Sequence, residues 1–68
     1  MLIKRSFRLA GHATSVALEP EFWAVLEQMA AARQTSLSAL VAEVDKGREG
    51  RNLASTLRVY VLACAKSV

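Results

Sequence analysis

Cysteine occurs once in the 68 residues, at Cys64, and histidine once, at His12. A lone cysteine excludes a disulfide within the chain, and one set between alanines in an apolar run packs as a small hydrophobe. Nothing here calls for an oxidising compartment, so a cytoplasmic location is expected. The carboxylates are equally sparse: Glu19, Glu21, Glu27, Glu43, Asp45 and Glu49 are scattered along the chain. They form no acid/base pair with His12, no metal-ligand spacing, and no base beside a nucleophile. An enzyme, a cofactor and a metal site are therefore not expected. Glycine is also scarce; Gly47 and Gly50 lie in a polar connection with no strand before them, which excludes a phosphate-cradling loop. No apolar run reaches the ~18 residues of a membrane span, and the N-terminus lacks a signal-peptide core.

What the chain has is aliphatic mass and a small basic excess. Hydrophobic residues make up 53% of it, with few aromatics. A chain this short forms one domain and buries only about 60% of the surface it exposes when unfolded. More apolar side chains than a lone domain can hide point to self-association. The formal charge is +3. Lys4, Arg5 and Arg8, with His12 nearby, meet no acidic residue before Glu19, so residues 1–12 read as a basic arm that can lie against phosphates or simply be solvated.

Along the chain, Ile3, Arg5, Phe7 and Leu9 alternate with Leu2, Lys4, Ser6 and Arg8 until Gly11 interrupts the pattern. The arm is then either an extra strand or a tail. Thr14, Val16 and Leu18 alternate with Ala13, Ser15 and Ala17, the period of a half-buried strand, and no clear second strand follows them. Its partner strand is expected from a second copy. From Pro20 the period becomes helical, with Phe22, Val25, Leu26, Met29 and Ala30 on one face to about Ala32 or Arg33 and Trp23 at the margin. After Gln34 and Thr35, Ser36 caps a second helix with Leu37, Leu40, Val41 and Val44 on one face. A polar stretch from Asp45 to Arg51 separates it from a third helix capped by Asn52. There Leu53, Leu57, Tyr60, Val61 and Cys64 share a face that Val59 and Leu62 broaden toward a second contact.

Strand, helix, short turn and Ser-capped helix, running from Ala13-Thr-Ser-Val-Ala-Leu18 to Thr35-Ser-Leu-Ser-Ala-Leu-Val41, resemble the ribbon-helix-helix family of DNA-binding proteins of the MetJ and Arc repressor type. The stretch from Thr14 to Trp23, with Asn52-Leu-Ala-Ser55 later, resembles its small bacterial members that carry an extra C-terminal helix. The expected fold is mainly α with one short β-strand. Residues 1–12 form the arm, 13–47 the ribbon-helix-helix core, and 48–68 a loop and third helix. The resemblance implies an intertwined homodimer, or a higher homo-oligomer, whose intermolecular two-stranded antiparallel ribbon enters the major groove of double-stranded DNA. It places Ala13, Ser15 and Ala17 toward the bases. It places Ser36, Leu37 and Ser38, at the start of the second helix, on a phosphate, with Lys4, Arg5 and Arg8 as further phosphate contacts. Two alanines and a serine cannot make bidentate base contacts, so direct readout is expected to be weak. A transcriptional regulator is the first reading. A protein-interaction or oligomerisation module on the same scaffold, with a protein partner instead of specific DNA, is the second.

Overall fold

The computed structural model describes residues 1–66. Two strands, β1 (Ile3–Leu9) and β2 (His12–Leu18), precede three helices, α1 (Pro20–Ala32), α2 (Leu37–Lys46) and α3 (Leu53–Lys66). The expectation of one strand is corrected here. The strand paired with β2 is residues 3–9 of the same chain, in antiparallel register from Ile3 opposite Leu18 to Leu9 opposite His12. Ala10 and Gly11 join them with φ of 51° and 81°. Positive φ at both central residues is the hairpin turn whose twist matches that of paired strands. Glycine takes this conformation freely, whereas Ala10 adopts it against its own preference.

One face of the hairpin is the roof of the core. Phe7, Leu9, Val16 and Leu18 are buried there, against Trp23, Leu26 and Ala30 of α1, Leu40 and Val41 of α2, and Leu53, Leu57 and Val61 of α3. β1 packs against α2 and β2 against α3. The single chain thus closes a core of its own.

Trp23 sits at the centre of the buried face of α1 and not at its margin: it is 2% exposed, while Phe22, Val25 and Met29 are only partly buried. The reason is β1. Trp23 donates its indole N–H to the Ile3 carbonyl at 2.7 Å, and its ring lies 5.9 Å from that of Phe7. This ties the first strand to the first helix.

The helix ends follow the sequence. α1 closes with the Thr35 N–H on the Ala30 carbonyl and the Gln34 N–H on the Ala31 carbonyl, with Gln34 at φ 55°. That is the Schellman pattern with glutamine at the left-handed position. The Ser36 hydroxyl accepts the Ala39 N–H at 3.0 Å, and the Asn52 side-chain oxygen accepts the Ser55 N–H at 3.2 Å. On α3, Val59 and Leu62 are each 54% exposed. Beside Val59, a shallow groove of ≈ 330 Å³ is lined by Glu43, Val44, Gly47, Thr56 and Tyr60. Among the described residues, no helix is long and apolar enough to cross a membrane.

Candidate nucleic-acid interface

The hairpin's other face is open. Strand alternation sends Val16 and Leu18 inward and leaves Ala13 and Ser15 exposed, with Ala17 half-buried. The register sets Arg8 opposite Ala13, Ser6 opposite Ser15 and Lys4 opposite Ala17. All three β1 residues are exposed. Lys4 and Arg8 of the arm and the small residues of β2 therefore share one surface. Neither strand contains an acidic residue.

Ser6 is the residue of this face that the sequence reading omitted. Its hydroxyl lies 3.2 Å from that of Ser15, so the two side chains engage each other across the ladder. The signal was available, since Ser6 falls between Lys4 and Arg8 in the same alternation.

Arg5 belongs elsewhere. Its position opposite Val16 turns it to the helix side, where it pairs with Glu27 at 2.5 Å and lies 5.0 Å over the Trp23 ring. Other arginines are also engaged: Arg48 with Asp45, Arg58 with Glu19, and Arg33 over the Tyr60 ring at 5.8 Å. Lys4 and Arg8 have no carboxylate partner among the described residues, and Arg8 has only the Gly11 carbonyl, at 3.5 Å. Two cations without a carboxylate partner attract an anion more strongly than neutralised ones.

Ser36, Leu37 and Ser38 start α2, and no acidic residue occupies its first turn. The Leu37 and Ser38 N–H groups are the helix's unbonded donors, while Ser36 spends its oxygen capping Ala39. No hydrogen bond or ion pair among the described residues joins these three to the open face of the hairpin. The hairpin tip, from Leu9 to Thr14, borders a cleft shared with Asp45 near the C-terminal end of α2 and with Arg48 and Leu53 beyond it, and a ten-residue helix is about 15 Å long, so the tip and the start of α2 stand apart.

Two side chains near this framework titrate away from their ordinary values. Its own backbone N–H, together with Arg58, holds the Glu19 carboxyl below the usual range; burial raises the Tyr60 phenol, partly offset by Arg33. Neither lies on the open face. Among the described residues, no three His, Cys, Asp or Glu side chains gather as a metal site.

The family model of the ribbon-helix-helix domain matches residues 2–65, nearly the whole chain. No curated protein and no solved structure matches it.

Proposed function

Because the chain belongs to the ribbon-helix-helix family, we propose that it is a homodimeric DNA-binding protein, a transcriptional regulator that lays the open face of its hairpin against the major groove. The observation that carries this reading is the register, which sets Lys4 and Arg8 beside Ala13, Ser15 and Ala17 on one open face of a hairpin whose strands hold no acidic residue.

The dimer forms along the free edge of β2. A two-residue turn makes Leu9 and His12 a hydrogen-bonded pair, and alternation then turns the backbone N–H and C=O of Ala13, Ser15 and Ala17 away from β1. An edge strand without proline or charge is a template for another strand, and β2 has neither. Two copies related by a two-fold axis at Ser15 give a sheet ordered β1, β2, then the partner's β2 and β1. In this arrangement the family's ribbon is the central pair of strands.

Binding to labelled random-sequence duplex, followed by fluorescence anisotropy, tests the reading. Saturable binding at low salt is expected for the wild-type chain, and Ala13→Glu should weaken it by an order of magnitude or more, because a carboxylate then enters a groove bordered by phosphates and neutralises the neighbouring Arg8. Wild-type protein that leaves the duplex free at low salt overturns the reading. The interaction-module alternative is favoured by one observation, the exposed Val59 at the α2–α3 groove with Leu62 exposed on the same helix.

A further inference from the structure

We infer, resting on the dimeric DNA-binding reading above, that the protein grips the walls of the major groove and not its floor, so that it recognises duplex DNA by groove shape with little preference among sequences. The ligand is the pair of phosphate backbones that border the groove. The residues that hold them are Lys4 and Arg8 of both copies.

The central strands present Ala13, Ser15 and Ala17. Ala13 and Ala17 end at Cβ and can touch at most a thymine methyl, and Ser15 already shares its hydroxyl with Ser6. No side chain there can form the two parallel hydrogen bonds that separate one base pair from another. The small residues matter by being short, since they let the sheet approach closely.

The outer strands carry the charge. In a sheet ordered β1, β2, β2, β1, the two β1 strands stand three spacings apart, about 14 Å. The major groove is about 12 Å wide. Side chains leaving β1 on the open face therefore come down on the phosphate walls, while the β2 pair spans the space between them. Lys4 and Arg8 are four residues apart, about 13 Å along one strand, so they meet separate phosphates. Arg5, on the opposite face and paired with Glu27, takes no part.

Four cations per dimer displace counterions from about four phosphates, which gives a slope near −3.6 of log affinity against log salt. Between about 50 and 200 mM salt, affinity then falls about 150-fold. The experiment measures anisotropy on three labelled duplexes of unrelated sequence over that salt range, for the wild-type chain and for Lys4→Gln/Arg8→Gln. Both residues are exposed, and far-ultraviolet circular dichroism verifies that the variant is folded. The expected result is dissociation constants within about threefold of one another, the stated slope, and a slope near zero in the variant. A preference of about tenfold or more for one duplex, lost in Ser15→Ala, would mean base readout and overturn the inference while leaving DNA binding intact. A variant that keeps the wild-type slope also overturns it, by placing the phosphate contacts elsewhere. No binding of any duplex at low salt removes the functional reading itself, and the inference with it.

Discussion

Gln34 holds φ 55° to close α1, a conformation that costs a residue with a Cβ about 1 to 2 kcal/mol. Glycine escapes that cost but loses more chain entropy on folding, about 0.4 to 1 kcal/mol. The difference favours glycine. Gln34→Gly should stabilise the protein by roughly 0.5 to 1 kcal/mol, seen as a higher midpoint in urea denaturation. A lower midpoint would mean that the Gln34 side chain has a stabilising role beyond its backbone. Glu19 gives a second test at this scale. Its folded pKa is depressed, so its contribution is present above the unfolded value and is lost as pH falls through the folded one. Glu19→Gln should remove that part of the acid limb in a series of melts, and only a small part, because the Glu19–Arg58 pair is partly exposed and screened by solvent. An identical acid limb in both proteins would leave the pair with no energetic role.

At the scale of elements, β1 depends on Trp23. Replacing Trp23 by phenylalanine keeps a ring against Phe7 but leaves the Ile3 carbonyl without its indole donor and opens space beneath the strand. The cost should be about 1 to 3 kcal/mol, with β1 amides exchanging faster than those of α2. Uniform loss of protection across both elements would place the role of Trp23 in the whole core. The same contact explains what was legible in the sequence. Helices declare themselves locally, through the caps at Ser36 and Asn52 and the apolar period between them, and α1 and α2 stand where that pattern puts them. The period shows how wide an apolar stripe is but not where its centre lies. The centre of α1 is fixed by a strand some twenty residues earlier, so Trp23 read as marginal. The hairpin was hidden for a related reason: Ala10 before Gly11 is a weak turn signal, and the alternation of residues 3–9 does not name its partner. The division of faces was legible all the same. Alternation alone separates Lys4, Ser6 and Arg8 from Arg5, and the register then carries the first three onto the surface of Ala13, Ser15 and Ala17.

For the whole molecule, two surfaces compete as the site of self-association, and each can be closed without disturbing the core. Leu57 and Val61 are unsuitable targets, because both are buried within the chain's own core and a charge there unfolds it. The exposed large hydrophobic residues of α3 are Val59 and Leu62, so Leu62→Glu tests assembly through that helix. The edge of β2 is tested by Ser15→Pro. The Ser15 N–H points away from β1, so proline removes no backbone bond of the hairpin and costs it only the exposed Ser6–Ser15 hydroxyl contact, yet it deletes the central donor of a strand pair formed between two copies. With a chain of 7.4 kDa, light scattering separates one copy from two directly. If the ribbon joins the copies, Ser15→Pro halves the mass and keeps the helical circular dichroism, while Leu62→Glu leaves the mass at two chains. The reverse pattern would move the interface to α3. The β1 strands proposed to hold the DNA phosphates would then no longer flank a shared ribbon, and the wall-to-wall grip on the groove would fail with it.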